Sequence, residues 1–184
     1  TVSKNQLVVL PSSLSALPAL TALDASFNAI STWEGGGAWL GSLTGLTNLN
    51  LMANRLDSVP ADELGKLTDL ISLGLKCARA APSHHSLRQL APCRRQHGTR
   101  PHRRSNRLTS LPPTVGKLTK LVHLFLTDNL LETLPIELTG CVSLRKIQAA
   151  SNRISSVPDG LEAMPELEFM RLPCNRLTVR RAGF

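Results

Sequence analysis

Leucines recur along the chain in a frame that combines a period of two with a following turn. In the segment from Leu121 to Pro135, LVHLFLTDNLLETLP, two leucines alternate with His123, Phe125 and Thr127. Neighbouring side chains of a strand point to opposite faces of the sheet. The pattern therefore predicts a short strand whose leucines enter a core and whose variable residues face outward.

The frame returns at a nearly constant interval, and an asparagine marks its turn. The asparagines are Asn5, Asn28, Asn54, Asn106, Asn129, Asn152 and Asn175, and most of the intervals between them are identical. An asparagine amide both donates and accepts, so it can pair backbone groups that would otherwise be buried without a partner. One repeat cannot bury its apolar face alone. We therefore expect the repeats to stack and the asparagines to form a ladder.

The frame LxxLxLxxNxLxxLP resembles the leucine-rich-repeat superfamily, in which each repeat supplies one strand and a return arc. Six strand frames and half a frame at Asn5 cover 1–184 as a single solenoid domain, apart from one segment. The resemblance implies an α/β repeat solenoid, a horseshoe arc with a concave parallel β-sheet and short helical or irregular convex arcs. It also implies a non-catalytic, protein-binding scaffold.

A proline in the arc after the asparagine, always at the same spacing, suggests a subclass. This proline occurs at Pro11, Pro60, Pro112, Pro135 and Pro158. The spacing is similar to that of the intracellular, Ras-group type of 23-residue repeat. The subclass implies a signalling role, with a small GTPase or another signalling protein as the partner.

One interval departs strongly from the period, because the distance from Asn54 to Asn106 is more than twice the common one. If this interval contained two degenerate repeats, Pro101 and Arg103 would occupy strand positions that face the core. Proline cannot donate to a ladder, and an unpaired arginine is unfavourable in an apolar interior. Leaving out residues 78–105 restores every position of the frame. We therefore predict that 78–105 is an insertion at the asparagine turn of one repeat.

The insertion differs from the repeats in charge. It holds seven arginines, no acidic residue and four of the five histidines, and it carries +7 of the formal net charge of +8. The remaining chain is nearly neutral. Dense like charge and few large aliphatic residues predict that residues 78–105 are disordered.

Three interpretations of the insertion remain open. An arginine-rich arm could bind phosphates, which gives the alternative function of a nucleic-acid-associated protein. A metal site could use four histidines and one cysteine, although their spacing is not that of a compact zinc motif. Those residues are His84, His85, Cys93, His97 and His102. We favour the third interpretation, extraneous in-frame sequence such as retained non-coding sequence, tolerated because loop closure costs little with length.

A smaller departure lengthens the arc after Asn28, where the interval to Asn54 is slightly longer than the common one. Trp33 occupies the position that Leu134 holds in a later repeat, so we expect it to pack on the core. Gly35, Gly36 and Gly37 allow backbone conformations that other residues resist. Trp39 and Leu40 are expected to fill the enlarged arc. The segment lacks the GxxxxGK[ST] pattern of a phosphate loop.

Composition and cysteine usage favour a cytoplasmic location. The chain is 42% hydrophobic but only 3% aromatic, which predicts an extended, aliphatic core. No apolar run could cross a bilayer, no signal peptide opens the chain, and no Asn-X-Ser/Thr acceptor occurs. The four cysteines show no disulfide framework, and we expect Cys77, Cys141 and Cys174 to be free thiols. Neither end carries a cap, which predicts a fragment or a faulty gene model that folds marginally alone, or that depends on missing repeats or on self-association.

Outward strand positions predict a binding surface instead of a catalytic site. Neither a Ser/His/Asp nor a Cys/His set is brought together by the register, so we predict no enzyme activity and no cofactor. The candidate partner-binding residues are His123, Phe125, Lys146, Gln148, Phe169 and Arg171. Aromatic and cationic side chains are enriched at binding hot spots. The alternative is that Phe125 and Phe169 only cover each other and the Lys146 stem on a solvated sheet.

Overall fold

Stacked turns of chain form a solenoid in the computed structural model, which describes residues 1–76 and 106–178. The strands are β1 (Val9–Leu10), β2 (Ala22–Asp24), β3 (Thr32–Trp33), β4 (Asn48–Asn50), β5 (Ser72–Gly74), β6 (His123–Phe125), β7 (Lys146–Gln148) and β8 (Phe169–Arg171). Six of them make one parallel sheet in the order β2-β4-β5-β6-β7-β8, and β1 pairs with β3 in a second sheet. The predicted concave parallel sheet is therefore confirmed.

Strand register follows the repeat. Leu49 pairs with Leu73, and Leu73 pairs with Leu124 although the last two lie far apart in the sequence. The ladder thus runs from β5 directly to β6. The predicted insertion at 78–105 lies outside the described residues, and so do the candidate metal ligands and the expected thiol of Cys77.

Short helices return the chain on the convex side. One α-helix spans Ala61–Leu64, and the 3-10 helices span Ser12–Ala16, Glu34–Ser42, Pro113–Lys117, Ile136–Gly140 and Leu161–Ala163. Prolines precede or open most of them, because a fixed φ suits the first helical turn and the missing N–H would be unpaired there anyway. The predicted short helical arcs are confirmed.

Aliphatic side chains fill the space between sheet and arcs. Leu73, Leu124 and Ile147 come from neighbouring strands and have no exposed surface, and Leu118 and Leu138 close the core from the arcs. A fully buried leucine contributes roughly 1.5–3 kcal/mol. The core is therefore a continuous column that no single repeat could complete.

The asparagine ladder is present. Asn129 Nδ2 donates to the carbonyls of Leu75 and Leu126 at 3.1 and 2.9 Å, and its Oδ1 accepts the Leu108 N–H at 3.2 Å. Equivalent bonds are made by Asn28, Asn54, Asn106, Asn152 and Asn175. Asn5 is exposed and bonds only within its own turn.

A left-handed residue stands directly before the ladder asparagine wherever the structure describes that position. The φ angles lie between 54° and 60°, at Lys4, Phe27, Ala53, Asp128, Ser151 and Cys174. This conformation is unfavourable for side chains other than glycine. It aims the next residue's amide at backbone groups of two turns, and those hydrogen bonds offset the strain.

The enlarged arc after Asn28 is built as expected. Gly35, Gly36 and Gly37 have φ angles of 58°, 68° and 86°. Trp39 is buried, and its ring lies 6.1 Å from that of Trp33. The Trp33 indole N–H donates to the carbonyl of Ser58 at 3.1 Å. The longer arc therefore accommodates the two packed tryptophan rings.

The expectation of free thiols is right for one cysteine and wrong for another. Cys141 is free and buried, and its thiol lies 3.2 Å from the carbonyl of Val115. Cys174 is disulfide-bonded.

Candidate functional site

The outward positions of the sheet form two aligned columns, as the repeat predicted. His123 lies between Ser72 and Lys146 in the first column, and Lys146 pairs with Phe169. The second column contains Asp24, Asn50, Gly74, Phe125, Gln148 and Arg171. All six candidate binding residues therefore share one face of β6, β7 and β8.

Aromatic rings and cations contact each other within this face. The rings of His123 and Phe125 stack at 6.0 Å with an angle of 26°. Lys146 Nζ lies 5.2 Å from the centre of the Phe169 ring, within the range of a cation–π interaction. Phe169 is nevertheless 44% exposed. The contacts order the side chains and leave aromatic surface in solvent.

One polar atom of the face has no partner. His123 Nδ1 is buried and makes no hydrogen bond. An unpaired buried nitrogen costs roughly 1–3 kcal/mol. The stack on Phe125 holds the imidazole in this position, so His123 serves as a packed ring rather than as an exposed base.

A hollow lies beside this face, towards the first half of the sheet. Its volume is about 460 Å³. Outward residues of β4, β5, β6 and β7 line it, together with two residues that follow strands: Asn48, Asn50, Met52, Ser72, Gly74, Lys76, Phe125 and Gln148. Only Phe125 and Gln148 belong to the predicted site.

Gly74 forms the floor of the hollow because it has no side chain. It pairs with Asn50 on one side and with Phe125 on the other. A Cβ placed on Gly74 would lie 3.0 Å from Asn50 Oδ1. The sequence signal for this hollow is a glycine at an outward strand position, and Phe125 comes to lie beside that glycine because β5 pairs with β6.

Three cationic side chains lie on the hollow and on the neighbouring strands β7 and β8. They are Lys76, Lys146 and Arg171, and none of them forms an ion pair with the residues that the structure describes. Arg145, in contrast, contacts Glu166 at 2.9 Å. Unpaired cations on a shared face attract anionic groups of a partner.

The described residues show neither a metal-binding group nor a membrane-spanning helix. Within residues 1–76 and 106–178, no group of three or more histidine, cysteine or acidic side chains could hold a metal ion. In the same part of the chain, no helix has the length and apolar character needed to cross a membrane.

Comparison with known proteins identifies the repeat. The sequence model of the leucine rich repeat family matches residues 104–154. The human PH domain leucine-rich repeat-containing protein phosphatase 1 is 30% identical over 140 residues, which cover 71% of this chain and 8% of that protein. The rat protein of corresponding name is 29% identical over 140 residues, with the same coverage. The chain thus spans less than a tenth of the length of these relatives.

Solved structures share the fold. The ectodomain of the Arabidopsis thaliana receptor kinase GASSHO1/SCHENGEN3, in complex with CASPARIAN STRIP INTEGRITY FACTOR 2, has a TM-score of 0.68 and 25% identity. The match covers 91% of this chain and 17% of the receptor chain. The PEPR1-AtPEP1 structure has a TM-score of 0.66 and 27% identity. The match covers 90% of this chain and 20% of the chain in that structure. Both matches extend over most of this chain.

Proposed function

Since the chain belongs to the leucine-rich-repeat superfamily, we propose that it is a scaffold that binds a protein partner on its concave sheet. Proteins of this fold generally serve in protein–protein interaction, and the similar ectodomain of GASSHO1/SCHENGEN3 is in complex with CASPARIAN STRIP INTEGRITY FACTOR 2. The proposed contact residues are His123, Phe125, Lys146, Gln148, Phe169 and Arg171.

The observation that carries this proposal is an ordered aromatic and cationic face with no role in the core. Phe169 is 44% exposed although Lys146 lies over its ring. The apolar interior is already complete without these side chains. Rigid aromatic rings beside cations are the residue types that dominate binding energy at protein interfaces. The competing explanation, that the rings only cover neighbouring stems, predicts no effect of their removal on binding.

We propose a binding role without catalysis for these repeats. The similar phosphatases are more than ten times longer than the matched segment, so their activity has no necessary counterpart here. Purified protein is expected to leave p-nitrophenyl phosphate unhydrolysed. Turnover above that of a heat-denatured sample would contradict this proposal.

The identity of the partner and the cellular location of this chain are further proposals. A small GTPase or another signalling protein is suggested by the Ras-group type of repeat, which is an argument from family analogy alone. A cytoplasmic location is supported by the absence of an Asn-X-Ser/Thr acceptor. The disulfide at Cys174 argues in the opposite direction, because disulfides are rare in the cytosol. Fractionation of cells that express the tagged chain distinguishes the two compartments.

The scaffold proposal is tested by crosslinking and by substitution. A photoreactive amino acid at Phe125 should capture a protein in cells, whereas the same residue at Val142, 52% exposed outside the strands, should not. With the captured protein, Phe125→Ala combined with Arg171→Ala should raise the Kd roughly a hundredfold. The control pair Val142→Ala and Arg153→Ala should leave the Kd unchanged. An unchanged Kd for the concave pair would refute the proposal.

A further inference from the structure

We propose that the hollow above Gly74 is a pocket for an acidic side chain of the partner, with Lys76 as the counter-ion of its carboxylate. This inference rests on the proposed function, since it names the chemistry that the concave face recognises. It adds a site in β4 and β5 that the six candidate residues do not include.

The hollow has room for a protruding side chain. Its volume of about 460 Å³ lies in the lower part of the range of roughly 300–1,000 Å³ that is typical of ligand pockets. Gly74 lowers the floor, while Asn50 and Phe125 stand on either side of it in the register. A flat sheet with side chains at every outward position would have no such recess.

The charge of the hollow selects an anion. Lys76 is half-buried at its lining and makes no ion pair with the described residues. The acidic residue of the second column is Asp24, which lies two strands from Gly74 in the register, and its Oδ1 already accepts the Ser26 N–H at 3.0 Å. A half-buried ammonium is less screened by salt than an exposed one. An incoming carboxylate would therefore find an unneutralised positive charge.

The polar groups around the hollow complete the donor set. Asn50 Oδ1 accepts the Met52 N–H at 3.1 Å, which leaves the Nδ2 end of the amide available to donate. Ser72 and Gln148 add a hydroxyl and a second amide. An ionised carboxylate accepts hydrogen bonds only, so donors and an ammonium match it.

The apolar groups of the lining suit the stem of such a side chain. Phe125 and Met52 both line the hollow. Methylene groups gain free energy when they leave water for contact with such surfaces. Glutamate, with one methylene more than aspartate, is the better match.

A defined probe tests the pocket. Peptides of random sequence displayed on phage are selected on the wild-type protein, and the recovered sequences are synthesised. We expect enrichment of glutamate and aspartate. Lys76→Gln should raise the Kd of these peptides about tenfold or more, whereas the control Lys117→Gln, which removes the same charge from the convex arc, should leave it unchanged. Recovery of sequences without acidic enrichment, or of none at all, would overturn the proposal.

A second variant fills the pocket without removing charge. Gly74→Thr places a β-branched side chain on the floor, where the nearest atom to the new Cβ is Asn50 Oδ1 at 3.0 Å and the nearest backbone atom, Asn50 Cα, lies at 3.6 Å. Threonine suits a strand better than glycine does, so the Tm should stay the same or rise. The Kd of acidic peptides should again increase about tenfold or more. An unchanged Kd in a variant that is folded by circular dichroism would count against the pocket.

The two proposals fail in different ways. If Phe125→Ala with Arg171→Ala abolishes peptide binding while Lys76→Gln and Gly74→Thr do not, the concave face binds and the pocket is wrong. If no concave variant affects binding, the proposed function is wrong as well. If all of them weaken binding and Lys117→Gln does not, both proposals stand.

Discussion

Asn106 Nδ2 donates a hydrogen bond of 3.0 Å to the carbonyl of Leu75, although 31 residues separate the two. The same bond in the next repeat joins Asn129 to Leu126, which are close neighbours in the sequence. The two separations differ by the length of the segment 78–105. Asn106 thus makes the same hydrogen bond as the asparagine of a repeat without extra residues, which supports the interpretation of this segment as an insertion.

Deletion of residues 78–105 should preserve the fold. The shortened chain has the complete frame, and a loop of this length contributes only closure entropy, so the Tm should be unchanged or higher. Circular dichroism melting under reducing conditions makes the comparison independent of disulfides. A cooperative transition at a much lower Tm would contradict the insertion hypothesis.

The same deletion separates the two functions. The variant should keep its affinity for the captured partner, while salt-sensitive RNA binding, if the full chain has any, should disappear. Titration of labelled partner and of labelled RNA at two salt concentrations measures both. Loss of the partner on deletion would contradict the scaffold proposal and favour the basic arm.

Removal of a ladder amide should destabilise the stack. Asn129→Ala leaves the Leu108 N–H and the carbonyls of Leu75 and Leu126 without this partner. The carbonyl of Leu75 keeps the Asn106 amide and that of Leu126 keeps the Asn152 amide, so the Leu108 N–H is the group left unpaired. A buried unpaired group costs roughly 1–3 kcal/mol, so we expect a loss of about 2 kcal/mol in urea unfolding. Asn5→Ala is the matched control, since Asn5 is exposed, and it should cost less than about 0.5 kcal/mol. Equal effects of the two substitutions would argue against a buried ladder.

Alanine substitutions in the arc of Gly35, Gly36 and Gly37 should differ in their effect on stability because the room for a Cβ atom differs between positions. Gly37→Ala would bring a Cβ within 2.4 Å of Pro60 Cγ, whereas Gly36→Ala meets nothing within 4 Å. Both glycines have positive φ, so both substitutions share a backbone cost of about 1–2 kcal/mol. Gly37→Ala should lower the Tm clearly more than Gly36→Ala. Similar Tm values would show that the arc is looser than described.

Cys141 gives a pH prediction. Burial raises the pKa of its thiol from 9.0 to about 11. The unfolded chain ionises first, so stability is fully present below pH 9 and is lost as the pH rises to about 11. The loss should be about 2 kcal/mol. In Cys141→Ala, urea unfolding between pH 8 and pH 11 should lack this component, which separates it from the titration of lysines. Identical pH profiles would mean that the thiol ionises without hindrance in the folded state.

The fold was predictable where it depends on the spacing of residues that are close in the sequence. Period two assigned Leu124 inward and Phe125 outward, and the recurring asparagine identified the turn, because each is a property of a few adjacent residues. The columns of candidate binding residues followed by stacking identical repeats. Lys76 was missed, since it follows the end of its strand and joins the candidate surface only by lining the hollow together with residues of other repeats.

Sequence alone determined the repeat, the inward and outward faces, the ladder and the position of the long interval. These features depend on side-chain alternation and on backbone hydrogen bonding, which act over a few residues. Tertiary structure decided what lies between the repeats: the position of the Lys146 ammonium over the Phe169 ring, and the hollow over Gly74. Each of these depends on distances across neighbouring turns, and such distances exist only after the aliphatic core has fixed one turn against the next.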